Sequence, residues 1–200
     1  KYFYDNLPSQ NIKRDNLEIL GIENLYRYDI DEIKFFKMDL NYRIPYNIVS
    51  TIIDKLFENQ FGDEKSMISH FFLSIDDLCR LIDIGWEVGS HSHKHMVMSR
   101  LTDNEQRDDI KTSRDFLSEN LHIKPKTFGY PFGVKGTYNN KTVEILNELD
   151  FVCATNMLRE IINPHHFDNL FELPRFDVND VFNKKGDINH KLLESLYTFE

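Results

Sequence analysis

The sequence predicts an α/β fold, with short strands and amphipathic helices alternating around a mainly parallel sheet. Three observations carry this expectation. The helical apolar stripe of SIDDLCRLIDIG, 74–85, runs into the strand-like WEV, 86–88. The segment after Thr102 reads as a helix to about 121 and leads to TFGYPFG, 127–133. The helical pattern of 140–149 leads to FVCAT, 151–155. This alternation does not separate an open sheet from a barrel. A chain of 200 residues, 40% of them hydrophobic, suits one globular domain with a sizeable core.

Residues 1–34 are polar with scattered aromatics and low periodicity, and no element is assigned there. From 46 to 57, Ile48, Val49, Ile52, Ile53, Leu56 and Phe57 fall on one helical face, with Pro45 at the first position. Ser74 is a good N-cap, with Asp77 three residues on near the positive end of the helix. Ile75, Leu78, Leu81 and Ile82 form its buried stripe, and Gly85 is the natural stop. Thr102-Asp-Asn-Glu105 reads as a capping box, opening a helix with Ile110, Phe116, Leu117 and Leu121 among its apolar positions. Pro125 ends that region. LPRFDV, 173–178, reads as a further strand.

The net charge of −9 and pI of about 5.4 argue against a nucleic-acid grip built on a basic face. No block of like charge stands out. Cys79 and Cys153 lie far apart, outside any CxxC spacing, and read as reduced thiols. No run approaches the ~18 apolar residues of a membrane span. The opening KYFYDNLPSQ lacks the layout of a signal peptide, which favours the cytoplasm, and it lacks an initiator Met, so the natural start is expected upstream of Lys1.

The stretch GSHSHKHM, 89–96, places His91, His93 and His95 at every second position behind the strand-like WEV. Strand ends are where α/β folds place their chemistry. In an extended strand the three histidines would share one face but spread over ~13 Å, too far for one ion. A pair entering a turn is therefore the donor set expected for zinc or a similar cation. The alternatives are a pH-sensitive surface patch and a polar loop whose histidines face water.

The wider context narrows this. HSHKH has the form His-Ser/Thr-x-x-His. It follows GWEVGS and a helix of the form S-x-D-D-L-x-x-L-x-x-x-G, and YPFG begins about thirty-five residues after His95. The series resembles the NodB-homology polysaccharide deacetylases, carbohydrate esterase family four. The resemblance is firm from about 72 to 150, extends to 178 and is weak before 71. It implies an irregular (β/α) barrel, with one deacetylase domain over 1–200, a core at 71–178 and an insertion at 1–70. It also implies a divalent metal, usually zinc, held by His91 and His95. Ser92 would support the pair, and His93 falls at a variable position. Phe132 matches the aromatic position whose backbone N–H helps hold the oxyanion. Tyr130 and Pro131 would shape the wall around the substrate, and Arg175 would point toward it. The implied partner is an N-acetylated sugar or glycan, and the implied reaction is hydrolysis of its acetamide.

One part of the family pattern is missing. A strand ending in Thr-Phe-Asp-Asp should supply the general base and the third metal ligand, and no such strand is found. Asp76-Asp77 lies only fourteen residues before His91, at a helix start, and is rejected. Asp5, Asp29, Asp31 and Asp39 lack a matching setting. The favoured expectation is a chain that begins beyond its first strand. The rivals are a catalytically inactive glycan-binding relative, and a deacylase or deformylase of a non-polymeric sugar or another amide. Some family members carry an Arg before the YPFG-type loop, where this sequence has Gly129 nearby, and the family's Leu-x-His acid is not evident. His165, His166 and His190 are loose candidates for that acid.

Overall fold

Strands β1 (Thr127–Gly129) and β2 (Cys153–Thr155) pair in parallel, and a single parallel bridge extends the pair on each side, Ser90 to Phe128 and Thr155 to Leu173. The four segments therefore lie side by side in chain order. Parallel neighbours need long crossovers, and helices Asp103–Leu121 and Asn140–Glu148 provide two of them. This architecture comes from a computed structural model, which describes residues 1–8, 25–182 and 186–189 in two units, Lys1–Glu87 and Val88–Glu200.

In the unit Val88–Glu200, the core gathers Met98, Ile110, Phe128, Tyr130, Ile145, Leu146, Leu149, Phe151 and Ala154. Phe128 meets the rings of Tyr130 and Phe151 edge-to-face, both at 5.6 Å between centroids. Both crossover helices start on full capping boxes, Thr102 with Glu105 and Asn139 with Thr142. The first ends at His122, in the left-handed conformation, before Pro125 is reached. Of its predicted apolar positions, Ile110 and Leu121 are buried, while Phe116 is exposed.

Two expected strands are shorter than predicted. WEV makes no ladder, and pairing begins only at Ser90, whose N–H donates to Thr127 O at 2.9 Å. The close approach explains Gly89, where a Cβ would lie 2.3 Å from Thr127 Oγ1. LPRFDV pairs only at Leu173. Asp177 then caps a short helix, Val178–Val181, accepting from the Asn179 N–H at 2.8 Å, so the cap takes the residues that the alternation had assigned to a strand.

In the unit Lys1–Glu87, the regular elements among the described residues are helical. Tyr46–Phe61 runs one turn beyond its predicted end, stopping at Gly62 with φ +79°, and Pro45 is its N-cap rather than its first residue. Phe3, Ile44, Val49 and Ile52 form the local core, packed by Phe36, Leu40, Ile48 and Ile53. Helix Glu64–Phe71 was not predicted, and none of its residues is buried. Helix Ile75–Asp83 carries the predicted Ser74 N-cap, which Asp77 closes into a capping box, and meets Gly85 at φ +95°. Its apolar stripe is half-buried rather than buried. No helix among the described residues is long and apolar enough to cross a membrane.

Candidate metal centre

The chain leaves the sheet at Ser90, where Gly129 N donates to Ser90 O at 2.9 Å. His91 follows immediately, and its Nδ1 lies 2.7 Å from Gly129 O. A carbonyl can only accept, so Nδ1 carries the proton and Nε2 keeps its lone pair. Desolvation pushes the His91 imidazole below the ordinary histidine value. The Gly129 carbonyl opposes this, while the charges of His95 and Arg175 add to it. A neutral ring with an assigned tautomer suits a metal ligand.

After His91 the backbone folds back on itself. Ser92 and His95 both occupy the left-handed region, at φ +66° and +53°. Ser92 Oγ accepts from the His95 N–H at 2.9 Å. The carboxylate of Asp109, buried on helix Asp103–Leu121, accepts from His93 N at 3.0 Å and from Lys94 N at 2.9 Å. The result is a compact turn. It brings the His91 and His95 ring centroids to 4.8 Å, at 69° between planes, where a straight strand would separate the two residues by ~13 Å. His93 is exposed.

The facing wall comes from the loop after β1. Phe132, also left-handed at φ +62°, lies edge-to-face with His95 at 4.9 Å. Three non-glycine residues with positive φ thus cluster around the pair, a pattern typical of functional sites. Gly133 is held by Met157, whose N–H donates to Gly133 O at 2.8 Å, and a Cβ there would come within 3.0 Å of the Met157 backbone. Pro131 is buried. Tyr130 is fully buried, stacked on Tyr138 at 3.8 Å, and its hydroxyl donates to Phe171 O at 2.9 Å. Its side chain therefore supports the wall from the core side.

Arg175 reaches this region from beyond Leu173. Its backbone N–H donates to Leu158 O at 3.1 Å, and its Nε lies 3.1 Å from Met157 Sδ. A Cβ on Gly129 would sit 3.0 Å from His91 Nδ1 and 3.4 Å from Arg175 Nη1, so both side chains crowd one glycine. Desolvation lowers the Arg175 pKa and the Asp177 carboxylate opposes it. The guanidinium remains cationic at any ordinary pH.

The other sequence candidates lie in local structure. Asp77 accepts from Ser74 N at 3.0 Å and from Ser74 Oγ at 2.6 Å, the helix-start role expected of it. Asp29 pairs with Lys37 at 2.7 Å, and Asp39 accepts from Tyr4 at 3.1 Å. Asp5 and Asp31 lie in helices Tyr2–Asp5 and Asp31–Met38. His165 is exposed, and His166 Nδ1 accepts from Asn163 N at 3.1 Å. His190 lies outside the described residues. Asp109 was not singled out from the sequence. The available signal was a short polar residue next to Ile110 on the inward face of an amphipathic helix.

In donor chemistry the histidine pair fits two positions of a zinc-like cation. Among the described residues no group of three or more His, Cys, Asp and Glu gathers to complete it.

Residues 57–154 match the family model described as polysaccharide deacetylase. No curated protein matches the chain at a significant level. Among solved structures, the chain is similar to the Streptococcus pyogenes deacetylase PplD in complex with acetate, at 19% identity and TM-score 0.48, over 70% of this chain and 59% of that one. It is similar to the BpsB deacetylase domain from Bordetella bronchiseptica at 19% identity and TM-score 0.47, over 52% and 48%. It is also similar to a family-four pseudoenzyme from Bacillus anthracis at 22% identity and TM-score 0.37, over 40% and 27%. The chain thus spans less than two thirds of the length of each.

Proposed function

This chain belongs, through residues 57–154, to the polysaccharide deacetylase family, and from that premise we propose that it is a metal-dependent hydrolase removing N-acetyl groups from a carbohydrate. In this reading 71–178 is the core of one (β/α)-barrel domain, with 1–70 inserted into it. The observation that carries the reading is the convergence of His91 and His95 at 4.8 Å, with the His91 tautomer set by Gly129 O.

His91 and His95 would hold the cation, most simply zinc. When bound, it supplies the polarisation that activates water and an acetamide carbonyl. The Phe132 backbone N–H is assigned the oxyanion contact, and its place beside His95 supports this. Arg175 offers a positive group to the substrate or the leaving acetate. Pro131 and Tyr130 keep the Phe132 loop rigid behind the substrate. The general base is a carboxylate not identified among the described residues. Products are acetate and a free amino sugar.

The test is acetate release from N-acetylglucosamine oligomers by zinc-loaded protein, with formate release from formylated amides measured alongside. Acetate release that disappears in His91→Ala supports the reading. A metal-loaded protein that liberates acetate from no acetylated sugar sinks it. A second reading is an inactive glycan-binding relative. Oligomer binding without turnover would select it.

A further inference from the structure

We infer that Asp109 is a positioning residue for the histidine turn: its carboxylate sets how closely, and in which direction, His91 and His95 present their rings to a metal. The inference rests on the metal reading of that pair.

Helix Asp103–Leu121 turns three polar side chains inward, and each has a different task. Gln106 Nε2 donates to Leu101 O at 3.2 Å, and its Oε1 accepts from Thr142 Oγ1 at 2.6 Å, tying the helix to its neighbour. Ser113 Oγ meets Ser90 Oγ at 2.9 Å, at the sheet edge. Asp109 spends both oxygens on consecutive backbone N–H groups of the turn, His93 to Oδ2 and Lys94 to Oδ1. It is 7% exposed, and a carboxylate taken that far from water must be compensated by such bonds.

The geometry explains why these two bonds matter. In a strand, successive backbone groups alternate in direction, so one carboxylate cannot accept from neighbouring N–H groups. Two adjacent N–H groups converge only when the chain curls into a concave nest that cradles an anion. Asp109 fills that nest and so selects the curled state over the extended one. Ser92 Oγ takes the next N–H, that of His95. Side-chain oxygens thus accept from the N–H groups of all three residues from His93 to His95. The curl holds His95 at φ +53° and brings its ring to 4.8 Å from that of His91. Partners that orient metal-binding side chains typically change affinity by about 10–100-fold when lost.

The experiment compares the wild-type chain with Asp109→Asn, Asp109→Glu and Gln106→Ala. Asparagine keeps the shape but offers one acceptor in place of two. Hydrogen exchange of the His93 and Lys94 amides is followed in metal-free protein, and cobalt(II) affinity and absorption spectrum are measured by titration. The expected result is at least about tenfold faster exchange at these amides in Asp109→Asn, about tenfold or more weaker cobalt binding, and an altered cobalt spectrum. Asp109→Glu, which keeps both acceptors, should recover part of the affinity. Gln106→Ala should lower the unfolding midpoint while leaving the two amides and the cobalt spectrum as in wild type. Unchanged exchange and cobalt affinity in folded Asp109→Asn overturns the inference. So does an equal loss of cobalt affinity in Gln106→Ala, which would mean general destabilisation. A wild-type chain that binds no cobalt refutes the metal reading, and the amide exchange then decides separately whether Asp109 sets the turn.

Discussion

His91 Nδ1 lies 2.7 Å from the carbonyl oxygen of Gly129, 38 residues away in sequence, and this one bond fixes which ring nitrogen carries the proton and which keeps its lone pair. His95 completes the pair from the far side of the turn, while His93 lends the turn its backbone N–H; all three histidines are exposed, so the ring pairing and not burial sets His93 apart. Three histidines at alternate positions are therefore not equivalent. His91→Ala and His95→Ala are each expected to lower zinc affinity by about a hundredfold or more, and His93→Ala by about twofold at most. Competition against a zinc-binding dye measures all three. Equal losses across the three would contradict the pairing.

Gly129→Ala tests the same contact from the opposite side. The new Cβ would stand 3.0 Å from His91 Nδ1 and 3.4 Å from Arg175 Nη1, both parts of side chains that can shift. The fold should yield at a cost of about 1 kcal/mol, while zinc affinity falls by about tenfold because the ring loses its carbonyl geometry. Gly89→Ala offers the contrast. Its Cβ would meet Thr127 Oγ1 at 2.3 Å and the Thr127 backbone oxygen at 3.0 Å, which cannot swing away. Its cost should reach the upper part of the range of about 1–3 kcal/mol. Denaturant unfolding and zinc titration on both variants separate a displaced ligand from a broken sheet contact.

These residues also show what the sequence could disclose. The Ser74 cap and the Thr102–Glu105 box were legible because such motifs are closed within four residues; both form, and Asp77 turns the Ser74 cap into a full box as well. The convergence of His91 and His95 was legible through their spacing and the turn expected at the strand end. WEV and LPRFDV were overextended because strand length depends on a partner the local sequence does not contain, and only Ser90 and Leu173 find one. Helix Glu64–Phe71 escaped because a helix that buries none of its residues leaves little periodic signal. Asp109 escaped for a related reason: its bonds reach 15 and 16 residues back in the chain, and an acidic residue in a charged helix otherwise reads as surface.

The Thr102–Glu105 box makes a pH-dependent contribution that can be isolated. Bonds from the Thr102 backbone, then from its hydroxyl, hold the Glu105 carboxyl below its usual pKa. A depressed folded-state value means that the unfolded chain binds the proton more readily. The stabilisation is therefore fully present above the ordinary glutamate pKa of about 4.3, and it fades as pH falls through the lower folded-state value. Asp115 and Glu148 are lowered as well, so the wild-type curve alone is not diagnostic. Glutamine at the same position can still close the box but does not ionise. The difference in unfolding midpoint between wild type and Glu105→Gln should be constant near neutral pH and shrink in acid. A difference that stays flat to about pH 3 would remove Glu105 from the acid response. Thr102→Ala, which deletes the cap itself, should cost about 1 kcal/mol at neutral pH.

Tyr130 separates two ways in which a wall residue can serve a site. Its place in the YPFG segment suggests contact with the substrate, yet its ring is fully buried against Tyr138 and its hydroxyl is committed to Phe171 O. Burial also raises its pKa, so the hydroxyl stays protonated and remains a donor at any working pH. Tyr130→Phe keeps the stack and removes only that donor, leaving the Phe171 carbonyl without it. The expected cost is about 1–3 kcal/mol of stability, with zinc affinity unchanged and KM for an acetylated oligomer within about twofold of wild type. Phe132 stands on the same loop two residues later, and the Tyr130 stack anchors that loop. Tyr130→Ala should therefore lower kcat as well as stability, through displacement of the loop. A Tyr130→Phe protein that folds normally but shows a KM raised by about tenfold would instead place the hydroxyl on the substrate, and would mean that the loop turns outward when the sugar binds.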